Sequence, residues 1–221
     1  MYIRVQRLFF FIYFKSGIFI DELNCYCYNR TMDAYKCICS RLSVRSYLPK
    51  KIPKKIISSI LTAASMAPSG LNAQPWYFVV INNEKKIEQM RQVVLNSLPE
   101  SDFVKKYKTF FNAPCIVSVF LEVSKRWYHR DKIENNIDEV LTNPDYFSVA
   151  AAIENMLLAA HSFGLGSCWC HVSPEYSEEL EELLDCQSNY KLVSNITLGY
   201  YKDKITKPPR KSIAEICRFI S

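Results

Sequence analysis

Ala67-Pro68-Ser69-Gly70-Leu71-Asn72-Ala73-Gln74-Pro75-Trp76 begins where one regular segment stops and ends where another starts. Upstream, Pro53 suits a first helical turn. Ile56, Ile57, Ile60, Leu61 and Ala64 then recur at helical spacing, with Lys55, Ser58, Ser59 and Thr62 on the other side. Pro68-Ser69-Gly70 stops that helix. Downstream, Trp76–Ile81 is short, apolar and rich in β-formers, which predicts a buried strand. A loop between helix and strand holds polar groups on a rigid frame. Asn72 and Gln74 each carry donors and acceptors that suit the edge of a heterocycle. The competing reading is a turn whose asparagine satisfies its own backbone.

The same signals continue outward. Asn82-Asn83 ends the strand, and residues 84–95 read as a helix. Ala113-Pro114 precedes a second apolar run, 115–121, predicted as a buried strand. Residues 125–143 are polar and irregular. The clearest helix is 148–163, where Val149, Ile153, Met156, Leu157 and Ala160 line one stripe. Gly164-Leu165-Gly166 stops it. Residues 167–170 begin a third strand, and Ser173-Pro174-Glu175 opens a helix with Leu180, Leu183 and Leu184 inside. Residues 190–198 form a fourth strand; Pro208-Pro209 cannot extend it. A last apolar segment spans 213–220. Helices and strands mix without strand–helix alternation, so the fold class is α+β, a small sheet packed against helices.

The 221 residues suffice for one sizeable core, and the aromatic and charged content is that of a globular chain. The formal net charge is +6. An anionic partner would use such a charge, but the lysines are scattered apart from Lys50, Lys51, Lys54 and Lys55 at a helix start, which read as a solvated face. Without a basic stripe or a known module, no nucleic-acid partner is expected. The nine cysteines are an odd number for a complete disulfide framework. Many free thiols point to a reducing compartment, and the expected location is cytoplasmic. Cys25-x-Cys27 and Cys37-x-Cys39 lack the two-residue spacer of a zinc site, so no metal is expected.

Residues 1–31 differ from the rest. Arg4 and Arg7 precede the apolar run 8–14, which falls short of the about 20 residues that span a bilayer. Asp21 and Glu22 interrupt any clean cleavage site. The preferred reading is an N-terminal extension outside a domain covering 32–221, with a signal or anchor as the alternative. No membrane partner is expected.

Two further clusters carry chemistry. Arg41, Ser43 and Arg45 alternate, so two guanidiniums and a hydroxyl can project from one side of an extended segment. Arginine forks bind phosphate oxygens, and serine adds a hydrogen bond; a solvated surface is the competing reading. Gly164-Leu165-Gly166-Ser167-Cys168-Trp169-Cys170-His171 combines close backbone approach with a histidine. His171 is a candidate acid, base or ligand-orienting group. His161 reads as a helix-packing residue. No Gly-x-Gly-x-x-Gly opens a helix after a strand, and there is no Walker loop, no Gly-x-Ser-x-Gly elbow and no His-Glu-x-x-His. A redox cofactor does its chemistry without dedicated catalytic side chains.

In order, these clusters resemble the FMN-dependent nitroreductase family. Arg41-Leu42-Ser43-Val44-Arg45 resembles its opening motif and 67–76 its proline–serine–glycine–x–asparagine–x–glutamine–proline–tryptophan loop. Residues 151–169 resemble its alanine-rich helix and glycine–leucine–glycine turn. Leu198-Gly199-Tyr200 with Pro209-Arg210-Lys211 resembles its closing strand and basic tail. The resemblance runs from about residue 33 to the end. It implies a nitroreductase-like α+β fold, with a small mixed sheet between helices, in an intertwined homodimer with FMN at the interface. Arg41, Leu42, Ser43, Arg45, Lys207 and Arg210 would form the phosphate end. Pro68, Ser69, Asn72 and Gln74 would meet the ring or ribityl chain, and Trp169, Cys170 and His171 would lie along the flavin. NADPH or NADH would be the reductant and a nitroaromatic, quinone or similar small molecule the acceptor, with the flavin rather than a side chain carrying the chemistry.

Departures from the family pattern leave the reaction open. Leu42 stands where a second basic residue is common. Ser148 and Glu154 replace an acid and a glutamine, and Cys170-His171-Val172 replaces a stretch that often carries glycine. The alternatives are a specialised relative, either a reductive dehalogenase or a flavin-fragmenting enzyme, and a non-catalytic flavin-binding protein.

Overall fold

The computed structural model describes residues 33–97, 112–123, 144–202 and 205–220. The extension expected over 1–31 and the polar stretch 125–143 lie outside the described residues, as do Cys25 and Cys27.

Helix α1 (Ala34–Ser40) opens the described chain, its first turn closed by the Asp33 carboxylate, which accepts the Lys36 N–H. The strand order β1 (Trp76–Ile81), β2 (Cys115–Glu122), β4 (Tyr190–Gly199), β3 (Gly166–His171) makes one four-stranded sheet, antiparallel throughout. The parallel component expected of a mixed sheet reduces, among the described residues, to one bridge between Ser43 and Ser167. The reason is local: the Val44 N–H bonds to Ser167 of β3, but four residues on the Leu48 N–H already bonds to Tyr200, beyond the end of β4, so the segment crosses the sheet rather than running along it.

Side-chain alternation along β2 builds two cores. Cys115, Val117, Val119 and Leu121 face α2 (Lys54–Ser65) and α4 (Pro144–Ser162). Ile116 and Phe120 face α3 (Glu84–Ser97) and α5 (Pro174–Leu183). Being buried on both sides, β2 reads as a continuous apolar run, and the sheet lies between helices as expected. Val149, Ile153, Met156 and Ala160 of α4 are fully buried. That helix begins at Pro144, a turn earlier than its apolar stripe indicates, because proline is well placed at a helix start. Its end is a left-handed stop: Gly164 has φ 73°, and the Leu165 N–H reaches back to the Ala160 carbonyl at 2.9 Å.

Burial in the α4-side core pushes the Cys115 thiol up to about 12 from its ordinary 9.0. A raised folded value means the unfolded chain ionises first. The associated stability is complete below about pH 9 and is lost as the pH climbs toward 12. At about pH 10.5 this group should have removed about 2 kcal/mol relative to pH 8. Urea midpoints at the two pH values check it: Cys115→Ala should show a smaller alkaline loss than the parent, and equal losses would reject the assignment.

Candidate functional site

The segment following α1 crosses the end of the sheet where β3 and β4 pair Gly166 with Gly199. The Val44 N–H donates to the Ser167 carbonyl at 2.9 Å, and the Leu48 N–H to the Tyr200 carbonyl at 2.7 Å. Two residues without side chains make the crossing possible. A Cβ on Gly166 would lie 2.6 Å from Val44, and one on Gly199 would lie 2.7 Å from the Tyr47 ring. Val44 is 1% exposed, whereas Arg41 and Ser43 are partly exposed and Arg45 is exposed. The buried valine thus anchors the segment while its polar neighbours remain at the surface.

The segment lies beside Cys168. The neighbouring Cys170 thiol draws the Cys168 thiol below its ordinary value, and against burial Arg45, Ser43 and Arg41 act in the same direction. Cys170 is displaced upward, chiefly by the same contact and by burial. Arg41 meets Glu154 of α4 through Nε at 3.5 Å. Lys207 is brought to the same corner, where its ammonium donates to the Cys39 carbonyl at the end of α1. His161, in the last turn of α4, meets the Ser40 hydroxyl at 2.8 Å through Nε2. Burial and Arg41 both lower its pKa, so it packs as the neutral imidazole. Cys37 and Cys39 do not face one another: Cys37 is buried and donates to the Leu158 carbonyl, while Cys39 is exposed.

Alternation along β3 sorts the third cluster. Cys168 and Cys170 enter the α3/α5-side core, while Trp169, 42% exposed, and His171 stay open. Ser167 lies on the Trp169 side of the strand; its hydroxyl is buried and has no hydrogen-bond partner among the described residues. Because the Ser167 carbonyl is used by Val44 rather than by β4, the main-chain groups of Trp169, two residues on, also face the outer edge of the sheet. The Tyr176 hydroxyl donates to the His171 carbonyl at 3.1 Å and fixes the end of that edge.

The 67–76 loop is strained. Leu71, Asn72 and Gln74 have φ of 51°, 56° and 49°, a left-handed region that costs non-glycine residues roughly 1–3 kcal/mol each. The hydroxyl of Ser69 accepts the Gln74 N–H at 3.0 Å, and the Gln74 amide donates to the Asn72 carbonyl at 3.4 Å. These bonds stay within the loop, whose Pro68, Leu71, Asn72 and Gln74 side chains are exposed. Arg210 is likewise exposed and donates to the Pro208 and Pro209 carbonyls of its own tail. One chain therefore gathers Arg41, Ser43, Arg45, Lys207 and the β3 edge; Leu42 lies partly exposed within that segment. The 67–76 loop and Arg210 instead present their polar groups outward. Sequence reasoning missed Tyr47, whose partner Thr197 lies far along the chain, and the Arg41–Glu154 pair. The glycines of the 164–166 turn and of Leu198-Gly199-Tyr200 were the visible signal that something crosses there.

The fold is an α+β sheet between helix layers, with a corner of basic side chains at its β3 edge. The family model of the Nitroreductase family matches residues 38–200, and the chain belongs to that family. It is 32% identical over 176 residues to an Archaeoglobus fulgidus protein named as an NADH dehydrogenase/NAD(P)H nitroreductase, covering 78% of this chain and 87% of that one. It is 30% identical over 188 residues to iodotyrosine deiodinase of Thermotoga neapolitana, covering 78% and 91%. A nitroreductase with bound FMN from Bacteroides fragilis superposes with a TM-score of 0.64 at 26% identity, over 86% of this chain and all of that one.

Proposed function

We propose that this chain is an FMN-dependent oxidoreductase that takes a hydride from NADPH or NADH and passes electrons to a nitroaromatic, a quinone or a similar small acceptor. The observation that carries the reading is the seating of the Arg41–Arg45 segment on the first residues of β3, through the Ser43–Ser167 bridge and the Val44–Ser167 hydrogen bond, beside the half-open Trp169. The donor set fits FMN. Two guanidiniums and a hydroxyl suit a phosphate, the outward main-chain groups of Trp169 suit a polar ring edge, and its indole suits an apolar face. The buried Ser167 hydroxyl is a further donor beside this edge.

Arg41, Ser43 and Arg45 would hold the phosphate, with Lys207 close by. Ser69, Asn72 and Gln74, whose loop is preset by its left-handed residues, would meet the ring and ribityl chain. Trp169, Cys170 and His171 would line the flavin through their backbone and, at Trp169, through the ring. When bound, FMN supplies reversible hydride and electron transfer, which no side chain of this site provides. The protein's part is to bind, to orient and to keep water from the transfer.

The reading includes a homodimer, because the outward polar groups of the 67–76 loop and Arg210 then complete the site of a second copy. Exposed Ile38, Met66, Leu71 and Phe147 support it, as does a groove of about 460 Å³ between α1, α2 and α4. The tail exposes Ile213, Ile216, Phe219 and Ile220, and β1 lies at the sheet edge, so two apolar features that a partner would cover are present. Among the described residues no helix is long and apolar enough to cross a membrane; we assign the enzyme to the cytoplasm on its many free thiols.

A second reading, reductive dehalogenation of a halogenated aromatic, draws on the similarity to the Thermotoga deiodinase. An absorption spectrum before and after anaerobic NADPH or NADH tests the first reading. Flavin bands that bleach, and recover on adding a nitroaromatic or quinone, are expected. Recovery with iodotyrosine but with neither of those acceptors would select the second reading. A colourless chain that cannot be reconstituted with FMN would reject both.

A further inference from the structure

Tyr47 lies two residues beyond Arg45 and performs none of the roles assigned above. Its ring lies over Gly199, where a Cβ would come within 2.7 Å, and beside Pro114, whose Cδ would be 2.8 Å from that same Cβ. Its hydroxyl reaches the Val44 carbonyl at 2.6 Å and the Thr197 hydroxyl at 2.7 Å. A carbonyl only accepts, so Tyr47 donates to Val44 and Thr197 donates to Tyr47. Burial holds the phenol far above its ordinary value, so this pattern persists at any physiological pH. The first bond closes a ring from Val44 to Tyr47, with Arg45 inside it. The second ties that ring to β4, the strand paired with Cys168, on which Arg41 and Arg45 both act.

We propose that Tyr47 is the positioning residue of the phosphate end: through Val44 and Thr197 it holds the 41–48 segment so that Arg41 and Arg45 face one anionic group. Main-chain bonds from Val44 to Ser167 and from Leu48 to Tyr200 pin the two ends of the crossing, but neither holds the peptides of residues 45–47 between them. The Tyr47 strut supplies that hold: its hydroxyl, seated on Thr197, closes back on the Val44 carbonyl around Arg45. The backbone carrying Arg45 then has a defined direction, and the arginine fork meets phosphate with less ordering cost on binding. The inference rests on the FMN reading and concerns the phosphate rather than the ring.

FMN and riboflavin differ by that phosphate alone, so titrating the full-length, flavin-free chain with each, followed by flavin fluorescence, separates a positioning role from a general one. Tyr47→Phe keeps the ring over Gly199 and removes both hydrogen bonds. It should weaken FMN about five- to tenfold and leave riboflavin within about twofold, as expected for a bond or two that orient a charged group. Thr197→Val should act in the same direction, and the double variant should be no worse than Tyr47→Phe alone, since both substitutions break one chain of bonds. Equal losses for FMN and riboflavin would overturn the proposal, as would unchanged FMN affinity in a Tyr47→Phe protein that melts normally. If the unmodified chain binds neither flavin, the FMN reading itself falls, a result that no comparison of variants can imitate.

Discussion

Arg41→Ala combined with Arg45→Ala should abolish tight FMN binding while leaving a folded protein. Hydrogen bonds to charged groups contribute about 1.5–3 kcal/mol each, so losing both arginines should weaken FMN roughly 10²- to 10⁴-fold. Neither side chain is part of either hydrophobic core. Arg41 is held at the surface by Glu154, whose side chain is itself 46% exposed, so the ion pair adds little to stability. The thermal midpoint should therefore move little, which separates a binding defect from unfolding. A second signature is internal. Both guanidiniums help to draw the Cys168 thiol below its ordinary value, so in the double variant that thiol should titrate higher. Thiolate absorbance near 240 nm, compared with the same variant carrying Cys168→Ser, reads this shift. An unchanged thiol titration would mean that the two arginines do not converge there, and the cationic corner would lose its basis.

Gly166→Ala should be costly for a different reason. The new methyl would meet Val44 at 2.6 Å through one γ-carbon and at 2.7 Å through its β-carbon and the other γ-carbon. Val44 is 1% exposed and its N–H is tied to Ser167, so neither the side chain nor the backbone can retreat cheaply. Overpacking of this kind costs about 1–3 kcal/mol. In a chain of this size that lowers the thermal midpoint by roughly 2–4 °C for each kcal/mol. The cheapest relief is to lift the 41–48 segment off β3, so FMN affinity should fall together with stability. Val44→Ala removes both γ-carbons from the clash. The double variant should therefore be less destabilised than the sum of the single ones, with the β-carbon contact still unrelieved. Calorimetry of the four proteins gives the cycle. Strict additivity would show that Gly166 is needed for its backbone and not for the space it leaves.

Much of the architecture was legible along the chain because it is local. Trp76–Ile81 was read as a strand with the bounds it has, since a short apolar run between a Pro-Trp step and two asparagines has one favourable conformation. The β2 run was legible as buried because both of its faces are apolar. The stripe on α4 was legible from its period, although its first turn was not, since Pro144 and Asp145 fall outside the apolar pattern while still favouring a helix start. The 67–76 loop was visible as a polar loop on a rigid frame. Its three left-handed residues were not, because Leu71 and Gln74 have no intrinsic preference for positive φ and only the closed loop imposes it.

The site divides along the same line. Alternation placed Arg41, Ser43 and Arg45 as candidate anion ligands, and the order of the motifs placed them in a family. Sequence by itself determined the elements, their amphipathic faces, and the residue types able to meet a phosphate and a heterocycle. Which of these residues meet was decided only by the tertiary structure. Thr197 can hold Tyr47 only because β4 returns antiparallel beside β3 and sets Gly166 opposite Gly199. That pairing clears a floor wide enough for Val44 and Tyr47 to cross. The physical reason is that a glycine in a sequence records only that a side chain is missing, and the space it leaves gains a purpose once another part of the chain lies across it.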